Sequence, residues 1–169
     1  MTKLRLLFML MFFSSTGALA EGPTFEYAFS PRQGATALVV KTIQAARKSV
    51  RVAAYELTSQ PVAAALVSAH DRGVDVEVVV DKSQRKTRGS KISMLAEHDI
   101  PVRINDRYHI MHDKFILVDG TALELGSFNY TGSAERANAE NVLVIHNSNT
   151  VIGNYARQWQ KLWDEAKAH

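Results

Sequence analysis

Apolar residues follow two spacings in the first half of the chain, and these spacings alternate. Short apolar or alternating runs predict strands, and apolar residues that recur every three or four positions predict helices. The predicted strands are residues 24–29, 50–55, 74–80 and 102–104. The predicted helices are residues 34–48, 61–71 and 91–97. Strands joined by helices predict a sheet that is parallel in this part, with helical crossovers.

The second half predicts antiparallel strands. Apolar runs at 115–118 and 122–125 are joined through Asp119-Gly120, a dipeptide favoured in tight hairpin turns. A further strand is predicted at 141–145, and residues 150–169 predict an amphipathic helix. The apolar side of that helix comprises Ile152, Tyr155, Trp159, Leu162 and Trp163. We therefore expect an α/β fold in one domain, with a mixed β-sheet flanked by helices.

The N-terminus has the layout of an export signal. Lys3 and Arg5 precede an apolar run at 6–13, and small residues end in Ala18-Leu19-Ala20. A membrane anchor is the alternative, but the run is shorter than the roughly 20 residues that a spanning helix needs. We predict a signal peptide over residues 1–20, cleaved after Ala20, and a periplasmic mature domain over residues 21–169.

Composition excludes some chemistry but does not select a partner. The chain has no cysteine, which excludes disulfides, thiol catalysis and cysteine-ligated zinc. The formal net charge is +3, and loss of Lys3 and Arg5 with the signal lowers it to +1. Overall charge therefore gives no indication of a nucleic-acid partner.

One segment is locally basic. Residues 82–91 contain no acidic residue, and their basic residues are Lys82, Arg85, Lys86, Arg88 and Lys91. This basic segment suits a polyanion such as nucleic acid. A solvated loop without a ligand is the alternative.

Two short segments carry polar residues that indicate a site. His112 and Lys114 are two residues apart at the start of a predicted strand, and Ser127 and Asn129 are two apart after the next strand. Residues two apart on a strand project from the same face. If both segments are extended neighbours, one face presents an imidazole, an ammonium, a hydroxyl and an amide. This set favours an anionic, oxygen-rich ligand.

Phosphodiester cleavage accounts for these residue types. A neutral His112 imidazole can attack phosphorus, while Lys114 and Asn129 stabilise charge on the non-bridging oxygens. This chemistry requires no metal, and we expect no cofactor. His112 needs a carboxylate to fix its tautomer. Glu140 is the predicted partner, because it precedes the strand at 141–145 and can reach the same end of the sheet.

Asp119 is a candidate of a different kind. It lies five residues after Lys114, a spacing that points it to the opposite face of a regular strand, and Gly120 follows it directly. We expect Asp119 to shape the turn and bind backbone groups, and a catalytic carboxylate is the alternative.

A zinc site is the alternative for the histidines. His109 and His112 form an H-x-x-H pair that Asp113 or His146 could complete. On a strand, however, residues three apart lie on opposite faces, and the chain has no H-E-x-x-H helix. We therefore do not favour a metal site.

The combined pattern H-x-K-x-x-x-x-D followed by G-S-x-N resembles the phospholipase D superfamily. The residues that match are His112, Lys114, Asp119, Gly126, Ser127 and Asn129. Glu140-Asn141 lies where the family carries a downstream acidic residue. Nearly all of residues 21–169 resembles the small bacterial EDTA-resistant endonucleases of that superfamily. The resemblance implies nonspecific cleavage of DNA, with RNA as an open alternative, through a covalent phosphohistidine.

The chain carries the motif once, whereas most members of the superfamily carry it twice. The resemblance therefore implies a homodimer with a shared site, in which one His112 attacks and the other protonates the leaving oxygen. Two alternatives stay open. One is a phospholipase or phosphatidyl transferase that acts on lipid headgroups, and the other is a non-catalytic nucleic-acid-binding protein.

Overall fold

Eight strands and five α-helices make up residues 22–169, the part of the chain that the computed structural model describes. The predicted signal peptide lies outside this range. The strands are β1 (Thr24–Ser30), β2 (Ser49–Ala54), β3 (Asp75–Asp81), β4 (Val102–Asn105), β5 (Lys114–Val118), β6 (Ala122–Gly126), β7 (Glu140–His146) and β8 (Lys167–Ala168). The helices are α1 (Ala35–Gln44), α2 (Gln60–Asp71), α3 (Ile92–Glu97), α4 (Gly132–Arg136) and α5 (Asn149–Asp164).

All eight strands join one mixed sheet, in the order β1-β7-β6-β5-β2-β3-β4-β8. β2, β3 and β4 are parallel to one another, because α2 and α3 carry the chain back between them. β5, β6 and β7 are antiparallel. The predicted mixed α/β sheet and the hairpin through Asp119-Gly120 are therefore confirmed.

Some element bounds differ from the sequence prediction. α1 ends at Gln44 rather than at residue 48, because the backbone N–H groups of Arg47, Lys48 and Ser49 donate to the Asp119 side chain. The C-terminal helix ends at Asp164, and the chain then adds β8 beside β4. α4 and β8 were not predicted, because five and two residues are too few to show a period.

The sheet packs an apolar layer on each face. α1, α2 and α3 cover one face, and α5 covers the other. Trp159 fixes α5 to the sheet, since its indole N–H donates to the Val52 carbonyl oxygen over 3.0 Å. Among residues 22–169, no helix is both long and apolar enough to cross a membrane.

One carboxyl group is enclosed in the layer beneath α1. Glu124 on β6 is 1% exposed, and Ile116 and Val144 lie beside it on the neighbouring strands. Its partner is the buried Tyr130 hydroxyl, which donates to Oε2 over 2.6 Å. Burial raises the pKa of Glu124 to about 8, although the hydrogen bond from Tyr130 opposes this shift.

This pair predicts a specific dependence of stability on pH. In the unfolded chain Glu124 ionises near pH 4.5, whereas in the folded chain it stays protonated up to about pH 8. The free energy of unfolding should therefore fall as pH rises from about 4.5 to about 8, and then level off. Glu124→Gln should remove this part of the slope, as measured by urea denaturation across that range. Equal slopes for the two proteins would contradict the assignment.

Candidate active site

The candidate site lies at the start of strand β5, which is paired along both edges and covered on both faces. β2 pairs with one edge of β5, and β6 pairs with the other. Ile116 and Val118 pack into the layer beneath α1, while Phe115 and Leu117 pack beneath α5. Hydrogen-bonded pairing along both edges and packing on both faces hold the strand in one register. The polar residues at its start are therefore held in place.

A cleft of about 390 Å³ opens at this end of the sheet. Its lining residues are His112, Asp113, Lys114, Phe115, Leu125, Gly126, Ser127 and Tyr155. His112 is exposed and Lys114 is half-buried. The structure thus brings together three of the predicted site residues, namely His112, Lys114 and Ser127.

Lys114 contacts His112 twice. Its Nζ lies 3.0 Å from His112 Nδ1 and donates to the His112 carbonyl oxygen over 2.7 Å. An ammonium can only donate, so Nδ1 is the acceptor in this contact. Burial lowers the pKa of Lys114, and the nearby carboxylates of Asp113, Glu140 and Glu56 oppose this shift. Nδ1 therefore accepts a hydrogen bond from a cation.

Two tyrosines border this pair, and sequence patterns did not identify them. The Tyr55 ring lies 4.6 Å from the His112 ring, at an angle of 56°, and Lys114 Nζ lies 5.5 Å from the Tyr55 ring centre. Tyr55 directly follows β2, so its place beside β5 depends on the strand order of the sheet. Tyr155 was assigned to the apolar side of the C-terminal helix. It lines the cleft and contacts Phe115 edge to face at 5.0 Å.

Glu140 has a different partner from the predicted one. Its carboxylate accepts hydrogen bonds from the Ser127 hydroxyl over 2.6 Å and from the Asn138 amide over 3.0 Å. No hydrogen bond joins it to His112 within residues 22–169. Glu140 lies at the predicted end of the sheet, but β6 separates β7 from β5, and Ser127 at the end of β6 takes the contact.

Gly126 allows β6 and β7 to approach closely at the site. A Cβ atom at this position would lie 2.1 Å from the Asn141 carbonyl oxygen, which no side chain can tolerate. β6 ends here, and the next residues bend. The condition that Ser127 and Asn129 share one extended segment is therefore not met.

Asn129 lies outside the lining of the cleft. Its backbone carbonyl accepts from the Thr131 N–H over 2.7 Å, which marks a tight turn. Its side-chain Oδ1 is buried and has no hydrogen-bond partner within the described residues. An unsatisfied buried acceptor is rare in folded proteins, so a partner from outside the chain is expected at this atom.

Asp119 lies at the opposite end of β5. The five residues of β5 separate Asp119 from the end of the strand where His112 lies, a distance of roughly 16 Å. Its carboxylate accepts three backbone hydrogen bonds of 2.7 to 2.9 Å from Arg47, Lys48 and Ser49. Burial raises the pKa of Asp119, but these hydrogen bonds outweigh burial and hold the pKa below its usual value. The geometry gives Asp119 a role in the turn, away from the cleft.

The histidines considered for zinc are separated. His146 lies at the end of β7 away from the cleft, with Nε2 3.2 Å from Glu26 Oε1. His109 lines a different pocket, together with part of the basic segment. Within residues 22–169, no three His, Asp or Glu side chains are grouped as a metal ion would require.

Comparison with known proteins identifies the family. Residues 39–163 match the family described as cardiolipin synthase, PLD-like domain. The chain belongs to the phospholipase D superfamily. This membership confirms the resemblance drawn from the H-x-K-x-x-x-x-D and G-S-x-N motifs.

Relatives and solved structures agree with this membership. A phospholipase D of Rickettsia bellii is 36% identical over 131 residues, which cover 78% of this chain and 65% of that protein. A mitochondrial cardiolipin hydrolase of Chlamydomonas reinhardtii is 34% identical over 122 residues, which cover 72% of this chain and 54% of that protein. The chain thus spans just under two thirds and about half of their lengths. Nuc from Salmonella typhimurium, a phospholipase D family member of known structure, aligns with a TM-score of 0.84 and 37% identity, covering 88% of this chain and 99% of that one.

The position of Asp119 predicts that its substitution lowers stability and leaves activity nearly unchanged. Asp119→Ala removes three hydrogen bonds to a charged acceptor and should lower the free energy of unfolding by about 2 kcal/mol. Phosphodiesterase activity below the unfolding temperature should stay within about twofold of the parent. Asp119→Asn retains one acceptor oxygen and should lose less stability. A large loss of turnover in a folded Asp119→Asn protein would instead show a catalytic carboxylate.

Proposed function

We propose that this chain is a metal-independent phosphodiesterase that cleaves DNA endonucleolytically, with RNA as a further substrate. The observation that carries this proposal is the His112–Lys114 contact in an open cleft. A neutral imidazole beside an ammonium combines a nucleophile with a donor for phosphate oxygens. Superfamily membership supports phosphodiester chemistry, and the choice of nucleic acid rests on the basic segment.

Phosphate binding would prepare the nucleophile. In the free chain, the Lys114 ammonium donates to His112 Nδ1. A bound phosphodiester offers anionic oxygens to the same ammonium and so releases the imidazole from it. An imidazole nitrogen then attacks phosphorus, a phosphohistidine forms, and the P–O bond to the leaving alkoxide breaks. Water later attacks the same phosphorus and frees His112.

The departing alkoxide needs a proton, and a second copy of the chain is our proposed source. The cleft contains one histidine, and no carboxylate hydrogen bonds to it within residues 22–169. A homodimer would place a second His112 across a two-fold axis, where it protonates the leaving oxygen.

The basic segment would hold the rest of the substrate. Phosphate contacts of this kind fix a strand in position without reading its sequence. The residues concerned are Lys82, Arg85, Lys86, Arg88 and Lys91. We also propose a periplasmic location after cleavage at Ala20, as the N-terminal pattern predicts.

A lipid substrate is the second candidate. The curated relatives are named phospholipase D and cardiolipin hydrolase. Edge strand β1 presents three exposed aromatic side chains in a row, Phe25, Tyr27 and Phe29, which could contact acyl chains. β1 is three strands away from β5, however, so this row does not border the cleft.

The first test is cleavage of plasmid and single-stranded DNA in excess EDTA. The parent protein should degrade both, and His112→Asn should lose activity by on the order of 10³-fold or more while it stays folded. A parent that releases headgroup from phospholipid vesicles but leaves both DNAs intact would support the lipid candidate. If the parent protein binds DNA but cleaves neither DNA nor phospholipid, the chain is a non-catalytic nucleic-acid-binding protein.

The shared site has its own test. Parent and His112→Asn chains are co-refolded in equal amounts, so that random pairing leaves about one quarter of dimers with two histidines. Activity should fall to about one quarter of that of an all-parent sample. Independent sites would give about one half instead, and a monomeric mass by light scattering at full activity would exclude the shared site.

A further inference from the structure

A second pocket, bordered by Tyr55, lies beside the basic segment. Its volume is about 460 Å³, and Ser83, Arg85 and Lys86 of the basic segment line it together with His109. Tyr55 borders this pocket, and its tilted ring lies 4.6 Å from the ring of His112, which lines the cleft. His109 lies three residues from His112, which limits the distance between their Cα atoms to about 10 Å.

Asp81 holds the two walls of this pocket together. It is 2% exposed, and its two oxygens accept from the N–H groups of Ser83 and Met111 over 2.8 Å each. Both carboxylate oxygens are therefore occupied by backbone donors. Asp81 is the acidic residue in the pocket lining, and its charge acts against an anion there. The three cationic side chains of the lining, Lys82, Arg85 and Lys86, outnumber it.

In this pocket, the Ser83 hydroxyl is a buried polar group without a hydrogen-bond partner among the described residues. Ser83 is also one of the residues that line the pocket. A buried hydroxyl that bonds to nothing destabilises the folded chain. A phosphate in the pocket would contact the adjacent cations, and a turn of the Ser83 side chain toward the pocket would let its hydroxyl donate to a phosphate oxygen.

The rim of the pocket favours a nucleotide over a bare ion. Ile110 is 46% exposed at this rim, and the exposed His109 precedes it. An apolar side chain and a ring beside a cationic pocket match a sugar and base next to a phosphate. Arg85 and Lys86 are both exposed, so a strand can reach them from solvent.

We propose that this pocket is a subsite for the phosphate that neighbours the scissile one on a nucleic-acid strand. The inference rests on the proposed function and adds a path for the strand. The scissile phosphate lies in the cleft at His112, the strand passes Tyr55, and the next phosphates reach Ser83 and Lys86. Cleavage should then depend on a charged phosphate at one defined neighbouring linkage.

The test uses short single-stranded oligonucleotides in which one linkage beside the cleavage site is a neutral methylphosphonate, on the 5′ or the 3′ side in turn. For the parent protein, neutralisation on one side should raise KM about tenfold, the value of one charge-assisted hydrogen bond. Lys86→Ala and Ser83→Ala should raise KM for the unmodified strand. In these two variants the contact to the neighbouring phosphate is already lost, so the methylphosphonate should raise KM little further.

Two control variants separate a built pocket from general attraction. Arg88 belongs to the same basic segment but does not line the pocket, and Lys48 is exposed near Asp119 at the far end of the sheet. In Arg88→Ala and Lys48→Ala, the methylphosphonate should keep its full effect. If the methylphosphonate loses its effect on KM equally in Arg88→Ala and Lys86→Ala, the subsite is overturned. The basic segment would then attract the strand only through its overall positive charge.

Failure of the subsite can be told apart from failure of the proposed function. Bis(4-nitrophenyl) phosphate carries one phosphodiester and no neighbour, so its hydrolysis by the parent protein reports on the cleft alone. If this substrate is cleaved and methylphosphonate on neither side matters, the subsite is wrong while the function stands. If Ser83→Ala and Lys86→Ala impair hydrolysis of cardiolipin vesicles and spare oligonucleotides, the pocket serves a lipid and the proposal is overturned.

Discussion

β5 lies at the centre of the sheet, with both edges paired and both faces covered. The rest of the site depends on this confinement. A slip by one residue would break the hydrogen-bonded pairing with β2 and β6 and would move every side chain to the opposite face. Because β5 cannot slip, Lys114 always leaves the sheet at the same point, and His112 just before it lies against Tyr55. The cleft is therefore positioned by apolar packing some distance away from it.

The polar contacts of the site divide between two strand ends. Lys114 holds His112 at the start of β5, while Glu140 holds Ser127 where β6 meets β7. Both contacts are made within one chain. The hydrogen-bond partner of the His112 ring is the Lys114 ammonium, and the predicted carboxylate partner makes no hydrogen bond to it within residues 22–169. A substrate phosphate would compete for the Lys114 donor. The free chain thus holds the His112 ring in a contact that an anion can displace.

Sequence patterns predicted most of the sheet, because long apolar runs and the Asp119-Gly120 turn carry clear periods. They also placed His112, Lys114 and Ser127 at one end of it. They did not predict the partner of Glu140, since that depends on the register between β6 and β7. Tyr55 was missed for a related reason. It enters the site through the β2–β5 pairing, which joins residues about 60 positions apart and has no local signature.

Gly126 shows what a motif contains besides reactive groups. It contributes no functional group, yet β7 could not approach β6 with any side chain at that position. The seryl hydroxyl and the Glu140 carboxylate meet because the two backbones come so close together. A designer who grafts this constellation onto another scaffold must reproduce that narrow gap between strands as well as the side chains. A scaffold with ordinary strand packing and the same reactive residues would hold them apart.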